Sequence, residues 1–278
     1  MIPVSGRTRL AAVIGDPVRH SLSPALLNAA FTTAGLDWVY VALPVAEGDA
    51  GAALDAMRRM DIGGLSVTMP HKEAVAAAVD RCSPAASALN AVNCVRREGD
   101  QLVGENTDGE GFVRSLVGEL GVTPADRRFV VIGAGGAARA VIRALAAAGA
   151  ADVAVVNRTR ERAVVAAELA GEAGRVGTSD DVATADVIVN STPVGMGADT
   201  ALPVPDELIE PRHVVADLVY HPPTTPLLDA AAARGARTMN GLGMLLHQAA
   251  IQFELWTGHT APVAEMRTAA EAELARRG

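Results

Sequence analysis

A chain of 278 residues, half of them apolar, is long enough for two modest domains with buried cores. A net charge of −8 argues against nucleic acid or an anionic membrane as the main partner. Aromatic residues make up only 3%, so Ala, Val and Leu must fill the interior. The two cysteines form no Cys-x-x-Cys pair and the six histidines lack metal-ligand spacing, so buried free thiols and no metal are expected. The N-terminal stretch does not read as a signal peptide, and no run is apolar enough to cross a bilayer, so a soluble cytoplasmic protein is expected.

In chain order, "LAAVIG" (10–15) predicts a strand and "SPALLNAAFTTAG" (23–35) a helix. "WVYVAL" (38–43) and "GGLSVT" (63–68) read as further strands, with a helix in "AEGDAGAALDAMRRM" (46–60) between them. "NAVNCVRREGDQLVGEN" holds two short strands around "REGD", the pattern of a hairpin. A helix from Asp108 leads into an apolar strand and the Gly-rich "GAGGAA". The strands "DVAVVN", "ADVIVNST" and "HVVADLVY" follow, and two helical stretches close the chain with no strand after them. Alternation of this kind predicts an α/β protein with parallel sheets covered by helices. The expected division is a substrate-binding α/β domain over 1–109, completed by C-terminal helices 243–278, and a doubly wound Rossmann-type domain over 110–242.

"VVIGAGGAARA" places Gly133, Ala134, Gly135, Gly136 and Ala137 between a strand and a helix, with Ala138 at the third position of the dinucleotide fingerprint. The first glycine permits the tight turn, and the second lets backbone approach a pyrophosphate at a helix N-terminus. The next strand ends in "NRTRER" rather than in the acidic residue that binds an unphosphorylated ribose. Guanidinium groups at Arg158 and Arg162, beside Asn157 and Thr159, suit a 2′-phosphate, so NADP is expected over NAD. "VIVNSTPVGM" brings Asn190, Ser191 and Thr192 to another strand's carboxyl end, where such sheets bind ligands or simply turn.

"GGLSVTMPHK" ends in Lys72, the only lysine of the chain; every other fixed cation is an arginine. Lysine offers a compact ammonium with three rotatable donors and a proton affinity that responds to burial. Together with "HSLSPALLNAAF", "AVN", "GENTDGEGF", "NSTPVGM", "DLVYHPPTTPLL" and "GLGMLLHQA", this peptide and the Gly-rich turn occur in the order found in shikimate dehydrogenases. The chain resembles that family nearly end to end. The resemblance implies two α/β domains with the active site in the cleft between them, and NADPH-dependent reversible reduction of 3-dehydroshikimate to shikimate. It implies that Ser21, Ser23 and Thr68 bind the substrate carboxylate, and that Lys72 and Asp108 flank the reacting oxygen as an acid/base and orienting pair. It places Asn93 and Gln248 on ring hydroxyls and Tyr220 near the substrate. For NADP it implicates the Gly133–Ala138 turn, Asn157, Arg158, Thr159, Arg162, Thr192 and Gly241. A monomer or a homodimer is compatible with it.

Each group also has a plainer structural reading. "SLSP" is a good helix N-terminus with Ser23 as the cap, and Asp108 can cap the helix that follows it. Gln248 can be an ordinary polar residue on an amphipathic helix. Three positions depart from the family pattern: Leu27 stands for His, Ser66 for Asn, and Asn90 for Gly. They leave open a paralogue acting on quinate or an amino analogue of shikimate. A third reading, from another class, is a catalytically silent NADP-binding regulatory module.

Overall fold

The structure, a computed structural model, describes residues 4–277. Two compact units emerge: one contains the chain up to Thr107 and again from Gln248, the other Asp108–His247. The sequence reading set these edges after residues 109 and 242. The difference has a simple cause, since one edge is the first residue of a helix and the other lies inside one, where composition does not change.

The first unit runs β1 (Arg9–Gly15), α1 (Ser23–Thr33), β2 (Trp38–Pro44), α2 (Ala50–Arg59) and β3 (Gly64–Val67). It continues through α3 (Lys72–Ala78), β4 (Arg81–Cys82), α4 (Pro84–Leu89), β5 (Cys94–Glu98) and β6 (Gln101–Glu105). The sheet order is β2-β1-β3-β5-β6-β4. The three strands β1, β2 and β3 are parallel, whereas β5 is antiparallel to both β3 and β6, as the hairpin pattern predicts. One core of this unit gathers Ile14, Leu54, Met57, Leu65, Val67, Val95 and Leu102.

The second unit runs α5 (Asp108–Leu120), β7 (Arg128–Ile132), α6 (Gly136–Ala147), β8 (Asp152–Val156), α7 (Arg160–Glu168) and β9 (Gly174–Val176). Then come β10 (Val187–Asn190), β11 (Val214–Asp217), α8 (Pro226–Ala233) and β12 (Arg237–Met239). Helix α9 (Leu242–Thr257) follows, and α10 (Val263–Arg277) packs on α1 in the first unit. The second sheet is parallel throughout, in the order β12-β11-β10-β7-β8-β9. Its strands are continuous apolar runs because both faces are covered. The pleat divides them between two cores: Phe129, Val131, Val153, Val155 and Val187 face one way, and Val130, Ile132, Ala154, Ile188 and Val215 the other. Strand order reverses between β7 and β10, the switch point where such sheets leave a crevice.

Among the described residues, β4, β9 and β12 have only two or three residues each, too few for any periodic signal.

Candidate active site and cofactor turn

In the first unit Ser21 and Thr68 lie on loops leaving the parallel strands β1 and β3, Asn93 directly precedes β5, and Gln248 lies within α9. The loop after β1 carries Ser21 and Ser23. Ser21 Oγ accepts from the Ser23 amide at 3.2 Å, so the proton of Ser21 remains available to an anion. The Arg277 guanidinium donates to the carbonyls of His20 and Ser21, at 2.5 and 3.3 Å, and fixes this loop. Helix α1 begins at Ser23, with Leu22 at the cap position and no side-chain cap. Ser23 is therefore not the cap that "SLSP" suggested. It is buried, at 7% exposure, near the phenol of Tyr40.

Thr68 follows β3, and its amide donates to the Ile14 carbonyl at 3.0 Å. The turn after it is held by His71, buried at 1% exposure, with Nε2 at 2.8 Å from the Val45 carbonyl. A carbonyl only accepts, so this nitrogen carries the proton. Lys72 comes next, half-buried, as the first residue of α3. Its carbonyl accepts from Val92 N–H at 3.0 Å, which sets Lys72 beside the peptide of Asn93.

Asn93 is almost fully buried. Its Oδ1 accepts from the Thr107 amide at 2.8 Å, and its Nδ2 donates to Thr107 Oγ1 at 3.0 Å. Thr107 Oγ1 lies 3.2 Å from the Gln248 carbonyl. The structure thus gathers Lys72, Asn93 and Gln248 in one unit around strand ends.

Two residues that sequence reasoning missed complete this cluster. Tyr40, in β2, donates to Ser66 Oγ at 2.6 Å. Gln252, one helical turn beyond Gln248, donates to Gln248 Oε1 at 2.7 Å. Burial holds the Tyr40 phenol well above its ordinary proton affinity, so it stays protonated and can donate. The one available signal was the i, i+4 spacing of the two glutamines on an apolar helix.

The three departures from the family pattern also find their places. Leu27 is fully buried in the core. Asn90 sits at φ +47° as the left-handed C-cap of α4, a conformation that Gly or Asn adopts most readily. Neither position needs a substrate to explain it. Ser66 is buried among Tyr40 and Gln252.

The second unit holds Asp108, 8% exposed, as the first residue of α5, where a carboxylate suits the helix dipole. It follows Thr107 directly in the chain. Tyr220 also belongs to this unit, half-buried in the loop after β11.

After β7 the chain turns at Gly133 with φ +114°, where a Cβ would fall 2.7 Å from Ser191 Oγ. Gly135 is the N-cap of α6 and supplies no side-chain cap, so the orphan N–H groups of the first turn point outward. A Cβ on Gly135 or Gly136 would meet nothing within 4 Å, and Ala134 and Ala137 are half-buried beside them. Ala138 is wholly buried against the sheet, as close helix packing requires.

At the end of β8, Asn157 Nδ2 donates to the Thr159 carbonyl at 2.9 Å and shapes the turn. Arg158, Thr159 and Arg162 are exposed, and Thr159 caps α7 with backbone only. No ion pair engages Arg158 or Arg162 among the described residues. Solvated, uncommitted arginines beside an open helix N-terminus fit a phosphorylated dinucleotide.

Asn190 is fully buried and therefore positions its neighbours rather than lining a ligand. Its Oδ1 accepts from Thr192 Oγ1 at 2.7 Å, and its Nδ2 donates to Asp217 Oδ1 at 2.9 Å. Asp217, also fully buried, accepts further from Val219 N–H at 3.0 Å and Thr225 Oγ1 at 2.7 Å. One carboxylate thus ties together the ends of β10 and β11 and the cap of α8. Gly241 donates to the Val219 carbonyl at 3.0 Å, and a Cβ there would lie 2.0 Å from the Leu218 carbonyl oxygen. Only glycine allows that approach.

The chain matches known proteins along most of its length. Residues 13–95 match the shikimate dehydrogenase substrate binding domain, 118–195 shikimate / quinate 5-dehydrogenase, and 241–271 the shikimate 5′-dehydrogenase C-terminal domain. The shikimate dehydrogenase (NADP(+)) of Geobacter metallireducens is 43% identical, over 98% of this chain and 99% of its own. That of Moorella thermoacetica is 45% identical, over 96% of this chain and 94% of its own. The shikimate 5-dehydrogenase of Thermus thermophilus, solved with NADP(H) and shikimate, superposes with a TM-score of 0.89 at 38% identity, covering 95% of this chain and 99% of that one. The sequence motifs, both sheets and these full-length matches agree: the chain belongs to the shikimate dehydrogenase family.

Proposed function

We infer that the chain is an NADP-dependent shikimate dehydrogenase, an oxidoreductase of the shikimate pathway that interconverts 3-dehydroshikimate and shikimate. The observation that carries this is 43% identity to a curated NADP(+) enzyme across 98% of the chain. The Gly133–Ala137 turn and the arginines after β8 support the cofactor assignment. Bound there, NADPH supplies the hydride; orientation and proton delivery fall to the chain.

On this reading Ser21, Ser23 and Thr68 hold the substrate carboxylate, and Asn93 and Gln248 hold ring oxygens, with Tyr220 beside the substrate. As a ketone is reduced, negative charge develops on its oxygen, and a positioned donor must meet it. Lys72 is assigned as that donor and Asp108 as its acid/base partner. The backbone N–H groups of Gly135 and Gly136 take the pyrophosphate, with Asn157, Thr192 and Gly241 shaping the pocket. Arg158 and Arg162 take the 2′-phosphate. A cytoplasmic location is supported by two cysteines that remain free thiols, Cys82 and Cys94.

The cofactor assignment has a direct test. Changing Arg158 and Arg162 together to Ala is expected to lower kcat/KM for NADP about 10–100-fold, the scale of one or two charged hydrogen bonds, and to leave kcat/KM for NAD nearly unchanged. Steady-state kinetics with both cofactors measures this. An equal fall for NAD, or a parent enzyme that prefers NAD, would refute the 2′-phosphate role.

A further inference from the structure

We propose that Tyr40, Ser66 and Gln252 form a buried hydrogen-bonded relay that decides which end of the Gln248 amide is offered to substrate. This deepens the substrate reading of Gln248 and rests on it. Within the relay, Gln252 is a positioning residue, and Ser66 is a link rather than a substrate contact.

The direction of the relay follows from one backbone carbonyl. Gln252 Nε2 lies 3.3 Å from the Asn93 carbonyl oxygen, which can only accept. That end of the Gln252 amide must therefore be the NH2 group, and the other end its oxygen. The oxygen faces Ser66, so the single hydroxyl proton of Ser66 is donated to Gln252 Oε1. With that proton committed, Ser66 accepts from Tyr40, whose phenol donates at 2.6 Å. The NH2 group of Gln252 also reaches Gln248 at 2.7 Å, and the atom it meets must be an acceptor, Oε1. The remaining polar end of Gln248 is then its amide nitrogen, a donor.

Reversing the relay is costly. Tyr40 and Gln252 are each 1% exposed and Ser66 is 7% exposed, so an inverted amide would leave buried groups facing like partners without water to help. The partners are distant in sequence, with Ser66 and Gln252 separated by 186 positions. A donor at Gln248 suits both sides of the reaction, because a ketone oxygen and a hydroxyl oxygen each accept. In the family pattern Ser66 stands for an Asn, a departure that leaves open an altered substrate. The relay instead spends its proton inside the protein.

The test compares steady-state oxidation of shikimate with NADP by the full-length parent and by Gln248→Met, Gln252→Met, Ser66→Ala, Tyr40→Phe and the Ser66→Ala/Gln252→Met pair. Gln252→Met keeps the volume and removes the amide. It is expected to raise KM for shikimate about tenfold while KM for NADP stays within about twofold. Ser66→Ala is expected to raise it by about threefold to fivefold, and the double variant to match Gln252→Met alone, since the two act through one path. The relay is overturned if shikimate KM stays within twofold of the parent in Ser66→Ala and Gln252→Met, or if their effects multiply in the pair. Should melting show that Gln252→Met does not fold, unchanged KM in both Ser66→Ala and Tyr40→Phe overturns it equally. If Gln248→Met itself leaves KM unchanged, it is the substrate role of Gln248 that fails.

Discussion

Lys72→Ala is expected to lower kcat for shikimate oxidation by about 10²–10⁴-fold, the range of a lost general acid or base, while KM for shikimate moves by less than about tenfold. The fold gives the reason to expect so clean a separation. Lys72 is the first residue of α3, where a positive charge opposes the helix dipole. It cannot be there to stabilise the helix, and Ala is the better helix former. The variant should therefore melt at or slightly above the parent temperature and bind NADP normally. Steady-state kinetics with a thermal melt checks both halves. A kcat within threefold of the parent would take Lys72 out of the proton transfer.

Asp217→Ala is expected to have the largest effect on stability, about 3 kcal/mol or more in urea unfolding. It would strip partners from the Asn190 amide, the Val219 N–H and the Thr225 hydroxyl at once, all inside the second unit. Asp217→Asn keeps an oxygen for Asn190 and Val219 and offers an NH2 to Thr225, so it should cost about 1 kcal/mol or less. Burial holds the Asp217 carboxyl above its ordinary 3.8. A carboxyl raised in the fold binds more protons there than in the unfolded chain, so this residue's contribution is greatest below the ordinary aspartate range and is lost as pH rises through its raised value. Asp217→Asn should flatten that slope. Equal stability of Asp217→Ala and the parent would show that the network is dispensable.

Local patterns in the sequence carried much of this. The turn at Gly133 was legible because strand, glycines and helix are consecutive, and the hairpin at β5 and β6 because its turn residues lie between its strands. Runs such as "DVAVV" announced a sheet buried on both faces. What stayed hidden depends on partners far along the chain. Nothing near Ser66 shows that its hydroxyl belongs to Gln252, nor anything near Tyr40 that a strand tyrosine is part of a polar relay. Asp217 looked like the polar end of another strand until Asn190 and Thr225 arrived beside it. Ser23 misled in the opposite sense, since a good capping sequence suggested a cap at a residue that is already the first of the helix. Asn90 looked like a change in the substrate pocket and is a matter of backbone handedness.

Thr107 and Gln248, joined through hydroxyl and carbonyl, lie 141 positions apart, so the first unit is interrupted by the whole of the second. Its sheet is closed over by residues translated late: Phe253 meets Phe31 with tilted rings 5.5 Å apart, and the Trp256 indole donates to the Val95 carbonyl at 3.1 Å. A growing chain on the ribosome meets these elements in the wrong order for folding from the N-terminus. The parallel sheet of the middle segment has all its strands before α9 and α10 appear, while the opening strands wait with one face only partly covered, by α1. Synthesis thus completes the middle of this protein before its beginning.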